Sequence, residues 1–173
     1  MESLNFGTAN NSHWCMGAGE GPHVMADLEN GLWAGNCAGV NPQNTPLPFP
    51  FVTAMVKGGR PGGGFALKGG DATRAALKTM YEGAYPPRYS MKKQGSIILG
   101  IGGDKCVWSA ARVYRAPARH AQPHITPPPP SSPLASSNGG VGSFFEGALT
   151  AGYSTDATDA ALQAGIAAAG WGL

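Results

Sequence analysis

HVMADLENGLWAG, residues His23 to Gly35, sets the first constraint on the fold. Val24, Ala26 and Leu28 share one parity; Met25, Asp27 and Glu29 share the other. Side chains alternate between the faces of a strand, so both carboxylates fall on one face and the small apolar residues on the other. By pattern alone the stretch is an edge strand with a solvated acidic face. Its rival is a strand that presents two acids to a site.

The rest of the chain supports a turn-rich β protein. Its 173 residues are enough for one domain with a core, and they include 27 Gly and 15 Pro. Charged residues are only 13% and the net charge is +2, with no basic patch interleaved with aromatics, so no nucleic-acid partner is expected. No apolar run approaches the length of a membrane span. Cys15, Cys37 and Cys106 are an odd number without metal-ligand spacing. Met1-Glu2-Ser3-Leu4-Asn5 has neither a basic segment nor an apolar run, so no secretory signal is expected in this chain. MESLNFG reads as the middle of a domain, and a fragment is expected.

Strands are predicted at residues 2–8, 23–29, 51–59 and 62–70, most strongly at Gln94–Gly103 (QGSIILGIGG), and again within GSFFEGALTAGY. The segment holding Trp14, NNSHWCMGAGEGPH, reads as a glycine-rich loop. ATRAALKTMYEG is divided between helix and strand. STDATDAALQAGIAAAGW reads as a helix, with Ser154 as its cap.

GIGGDK lacks the Lys-Ser/Thr pair of a phosphate loop and the spacing of a dinucleotide fingerprint. Gly102 and Gly103 read as a turn, or as a close approach to a ligand beside Asp104. Residues 106–137 differ from everything around them: they carry three arginines, two histidines and the run Pro127–Pro130. Such a composition cannot bury enough apolar area to fold alone, and disorder is expected. His120 and His124 lack a third ligand and read as bystanders, so no metal is expected.

Asp27, Glu29 and Asp104 are the candidate chemistry. Hydrolysis of a glycosidic bond commonly uses two carboxyl groups, and a retaining enzyme holds them about 5–5.5 Å apart. Two acids on one parity of a strand lie about 6.5–7 Å apart, a poor fit. A strand acid opposed by Asp104 from a second strand fits better.

SLNFGT, GEGPHVMADLENGLWAG, FVTAMVKG, GSIILGIGGD, FFEGALTAGY and TDATDAALQAGIAAAG, in this order, resemble the catalytic domain of the fungal α-L-arabinofuranosidase B family, glycoside hydrolase family 54. The resemblance implies an all-β fold, a jelly-roll, concanavalin-like β-sandwich, here incomplete and ending in a short helix. It implies retaining, exo-acting removal of terminal α-L-arabinofuranosyl groups from arabinan and arabinoxylan, without a cofactor, by a secreted protein expected to be monomeric. On the matching motifs, Glu29 falls on the nucleophile and Asp104 on the acid/base. Asp27, Asn30, Trp14 and Gly103 fall on substrate-binding positions.

The chain also departs from that pattern. The family's N-terminal part of this domain, with its adjacent cysteine pair, and its C-terminal arabinose-binding domain are expected to be missing, and 32 residues, Cys106–Ser137, stand where the family has a short turn. The expected organisation is therefore a partial catalytic domain, 1–105 with 138–173, interrupted by a translated intron. A chain of this extent is expected to have little activity by itself. The alternative reading is an inactive family fragment with at most weak carbohydrate binding.

Overall fold

The computed structural model describes residues 2–7, 13–28, 31–87, 101–102, 138–139 and 145–171. The strands are β1 (Glu2–Gly7), β2 (His13–Gly17), β3 (His23–Leu28), β4 (Leu32–Trp33), β5 (Gly39–Asn41), β6 (Val52–Gly58), β7 (Phe65–Asp71), β8 (Lys78–Gly83), β9 (Ile101–Gly102) and β10 (Asn138–Gly139). One helix, α1 (Asp156–Ala168), follows them. The chain divides into two compact units, residues 1–93 with 150–173 and residues 94–149. In the second unit β9 and β10 pair antiparallel, Ile101 opposite Gly139.

The first unit is a sandwich. One sheet has the order β1-β3-β4-β2-β5 and the other β6-β7-β8. β1, β3 and β4 run antiparallel, β2 runs parallel to β4 and β5, and β6-β7-β8 is an antiparallel meander. The sheets meet through β1, which packs against β6, and β3, which packs against β6 and β7. Between them lies a core that includes Val24, Ala26, Leu28, Trp33, Leu47, Phe65, Leu67 and Met80.

β3 is not the edge strand that its alternation predicts. It is hydrogen-bonded on both sides, to β1 and β4, and Met25, on the parity of Asp27, is 1% exposed. Alternation within six residues reports polarity, whereas the number of ladder partners depends on distant segments. Trp14 likewise lies in a strand, β2, rather than a glycine-rich loop. The divided segment Ala72–Gly83 is split: Lys78–Gly83 forms β8 on the ladder of β7, while Ala72–Leu77, which hold its alanines and leucine, are turn and loop. Residues 145–150, expected within a strand, carry none. Most of Gln94–Gly103 lies outside the described residues, with Ile101 and Gly102 in β9.

β7 is buried along nearly all its length because both faces are covered. Phe65 and Leu67 face the core. On the other face α1 docks, and it does so with its polar side. Asp159 and Gln163, one helical turn apart, are buried, while Ala160, Ala161 and Leu162 are exposed. The reason is the surface beneath. Asp159 Oδ2 lies 2.6 Å from both Lys57 Nζ of β6 and Lys68 Nζ of β7, with Lys57 and Asp159 side chains 6% and 5% exposed. Lys68 also reaches Asp156 at 2.6 Å. Gln163 Nε2 donates to the carbonyls of Asp71 and Arg74 at 2.9 and 2.6 Å. Lys57 Nζ stands 4.1 Å from the centroid of the Tyr153 ring. Burial is the main cause that pushes the Tyr153 hydroxyl up to about 12.

The helix cap is Thr155, whose Oγ1 accepts from the Thr158 N–H at 3.2 Å. Ser154, the predicted cap, instead donates to Asp159 Oδ1 at 2.6 Å. Among the described residues no helix is long and apolar enough to cross a membrane.

Burial disfavours ionised Asp159, but hydrogen bonds from Lys57, Lys68 and Ser154 outweigh it and hold the carboxyl at about 2, against an ordinary 3.8. A depressed carboxyl pKa stabilises the fold above its unfolded value, and that contribution is lost as pH falls toward the folded one. The Asp159 contribution is therefore complete above about pH 4 and disappears between there and about pH 2. Asp159→Asn strands buried cations and should cost about 3–5 kcal/mol in urea denaturation at neutral pH. The deficit should shrink as the pH is lowered to about 2. An unchanged midpoint at pH 7 would disprove the clamp.

Candidate active site

The site is built around the end of β3. Asp27 is half-buried, with Ser3 of β1 opposite it on one side and Leu32 of β4 on the other. Pairing on both sides fixes the backbone that carries this carboxylate. β3 stops at Leu28, whose N–H donates to the Gly31 carbonyl at 3.2 Å. Gly31 has φ +131°, a conformation that side-chain-bearing residues rarely adopt. Glu29 and Asn30 join these two anchors in sequence but lie outside the described residues, as do Gly103 and Asp104. The expected opposition of Glu29 and Asp104 therefore also falls outside them.

Trp14 belongs to the same sheet. His13 of β2 pairs with Leu32, which pairs with Asp27, so one row runs across β2, β4 and β3. Trp14 is one residue along β2 from that row. Two strand spacings put its backbone roughly 10 Å from β3. Of the six candidate residues, the structure thus brings Asp27 and Trp14 onto one sheet.

Two supports of this sheet were not read from the sequence. The first is a disulfide between Cys15 of β2 and Cys37 of the β4–β5 connection, with Cα atoms 5.1 Å apart. Cys15 is fully buried, and its carbonyl accepts from the Ala34 N–H at 2.7 Å. The bond closes the segment that contains Asp27 and Glu29. An odd cysteine count concealed the pairing; Cys106 lies outside the described residues.

The second support is a pair of buried asparagines in what reads as plain loop. Asn44 Nδ2 donates to the carbonyls of Val24 and Ala34 at 2.8 and 3.1 Å. Asn41 Nδ2 donates to Ala34 and Met80 at 2.8 and 3.0 Å. Together they tie β3, the end of β4 and β8 to β5 and the loop that follows it. The available signal is Asn rather than Ser or Asp at both positions, since of these three only the Asn amide donates twice. Among the described residues no group of three His, Cys, Asp or Glu side chains could hold a metal ion.

The family described as "Alpha-L-arabinofuranosidase B, catalytic" matches residues 1–124 and 135–172, and the break falls inside the segment 106–137. The chain is 40% identical over 172 residues to an arabinofuranosidase/β-xylosidase of Trichoderma koningii, covering 98% of this chain and 27% of that protein. It is 40% identical over 173 residues to α-L-arabinofuranosidase B of Emericella nidulans, again 27% of the relative's length. A crystal structure of an arabinofuranosidase complexed with arabinofuranosyl-α-1,2-xylobiose superposes with a TM-score of 0.70 at 35% identity, over 98% of this chain and 28% of the other. The chain thus spans about a quarter of the relatives it matches.

Linking residues 15 and 37 removes freedom from the unfolded chain and should be worth about 2–4 kcal/mol. Peptide mapping without reductant should recover Cys15 and Cys37 in one linked pair. Cys15→Ser with Cys37→Ser should lower the unfolding free energy by that amount. Recovery of both as free thiols from oxidised protein would contradict the assignment.

Proposed function

Since the chain belongs to the catalytic family of α-L-arabinofuranosidase B, in the jelly-roll class of β-sandwiches, we propose that it carries the carboxylates of a retaining, exo-acting α-L-arabinofuranosidase. The observation that carries this reading is the doubly braced strand that delivers Asp27 half-buried and leads directly into Glu29. A nucleophile needs such a frame, because small displacements from attack geometry cost large factors in rate.

In this mechanism the Glu29 carboxylate attacks the anomeric carbon of a terminal arabinofuranosyl group. The glycosidic bond breaks, and Asp104 gives its proton to the leaving oxygen. A covalent arabinosyl ester on Glu29 results. Asp104, now ionised, takes a proton from water, whose oxygen attacks the same carbon. Glu29 is released, Asp104 is protonated again, and the product keeps its configuration. Asp27 accepts hydrogen bonds from the sugar hydroxyls, Trp14 offers its apolar face, and Asn30 and Gly103 line the pocket. The polymers that fit this chemistry are arabinan and arabinoxylan. Secretion fits the Cys15–Cys37 bond, since disulfides persist in oxidising compartments.

The test is a chimera in which this chain replaces the matching stretch of the Emericella nidulans enzyme. It should hydrolyse 4-nitrophenyl α-L-arabinofuranoside with retention, followed by proton NMR of the first-formed anomer. Glu29→Gln should abolish turnover. Asp104→Ala should spare much of the first step on this activated substrate, yet slow arabinan hydrolysis by about 10²–10⁴-fold, the usual weight of general acid catalysis. Parent-like rates in Glu29→Gln would refute the role of Glu29.

We also propose that residues 106–137 are translated intron inserted into the domain. The foreign composition supports this; the family match breaks at 125–134, within the segment, and continues across 106–124 and 135–137. Sequencing of the mature message should return transcripts without those codons. Their presence in every transcript would exclude it.

A further inference from the structure

A groove of about 310 Å³ opens between the segment after β5 and the β7–β8 connection. This is at the small end of the range of ligand sites, about 300–1,000 Å³. One wall is Pro46, Leu47 and Phe49, the other Ala76 and Leu77, and the β7 backbone at Gly69 and Gly70 is the floor. The glycines let the walls close in. A Cβ on Gly69 would come 2.5 Å from Leu47 Cδ1, and one on Gly70 would come 2.5 Å from the Ala76 carbonyl.

The charges of the groove are unbalanced. Arg74 and Lys78 line it with Asp71 as the single carboxylate. The Asp71 charge is already answered within its own turn. Its Oδ1 accepts from the Thr73 N–H and hydroxyl at 2.9 and 2.7 Å, and its Oδ2 lies 3.4 Å from Arg74 Nε. Lys78 Nζ donates to the neutral Thr45 hydroxyl at 2.8 Å, bridging the walls, so its charge meets no carboxylate there. The Arg74 side chain is 79% exposed, while its carbonyl is pinned by Gln163. The groove thus combines an apolar bed, a half-exposed aromatic ring in Phe49 and a net positive rim.

We propose that this groove is a second saccharide-binding surface, and that it takes a xylan segment bearing a uronic acid. Sugar C–H faces would lie on Phe49, Pro46 and Leu77, and the uronate carboxylate would meet Lys78 and Arg74. Gly69 lies against Val24, three residues before Asp27 on β3 and so roughly 10 Å of strand away. Val24 faces the core and Asp27 the opposite side of β3, so the surface is separate from the site. The ligand class rests on the polysaccharide reading above, but binding is read without turnover, so an inactive chimera leaves the test intact.

The probes are xylotriose substituted with glucuronic acid and unsubstituted xylotriose, titrated into the isotope-labelled 173-residue chain by NMR. The acidic sugar should bind at least tenfold more tightly, with shifts concentrated at Phe49, Arg74 and Lys78. Arg74→Gln with Lys78→Gln, both on the rim, should remove that preference and leave the spectrum dispersed. Phe49→Ala should weaken both sugars. Equal affinity for the two probes, shifts centred away from the groove, or an unchanged preference in the double variant would each overturn the proposal.

Discussion

Lys68 is the constraint on which the β6-β7-β8 side depends. A lysine in the middle of a central strand, covered on both faces, is untenable unless an anion comes to it. Asp159 is that anion, and Asp156 assists it at the surface. Because Asp159 serves Lys57 as well, a single helical carboxylate joins two strands and α1. The helix therefore docks through ionic and backbone contacts instead of an apolar stripe. The residues after the 106–137 segment are thereby fixed to strands that precede it in sequence, so the first unit is assembled from both ends of the chain.

The opposite sheet solves a different problem. β3 must hold Asp27 firmly near its end. It is held by two ladders, by the Asn44 amide at Val24, and by the closure of Leu28 on Gly31. The Cys15–Cys37 bond and the Asn41 amide hold the neighbouring strands. None of these groups performs chemistry in the proposed reaction. Their common effect is to leave the backbone at Asp27 little freedom, which is what an attacking carboxylate on the following residues requires.

How much was legible in the chain varied with the range of the interactions involved. The strands at β1, β3, β6 and β7 and the helix α1 were read from alternation and propensity, because both are properties of neighbours in sequence. Asp27 and Trp14 were nominated by motif, and the structure puts both on one sheet; for Glu29, Asn30, Gly103 and Asp104 the reading stands on sequence. Three differences share a cause: β3 is interior, Trp14 lies in a strand and Lys78–Gly83 is extended because partners distant in sequence pair with them, whereas Ser154 yields the cap to Thr155 through a local bond to Asp159. The Cys15–Cys37 pair was likewise invisible, because three cysteines allow several pairings and only proximity selects one.

The sequence by itself determined the β-rich class and the family, and it is the basis on which the acids are proposed, since composition, periodicity and motif are written residue by residue. Tertiary structure alone decided that β3 is interior, that Cys15 meets Cys37, and that α1 buries Asp159 and Gln163 while exposing Leu162. An Ala-rich helix offers an apolar surface on every side, so its own pattern names no buried face. The face was chosen by two lysines and two backbone carbonyls of β6, β7 and the β7–β8 connection, distant in sequence, whose unmet charge and hydrogen bonds outweigh the burial of a few methyl groups.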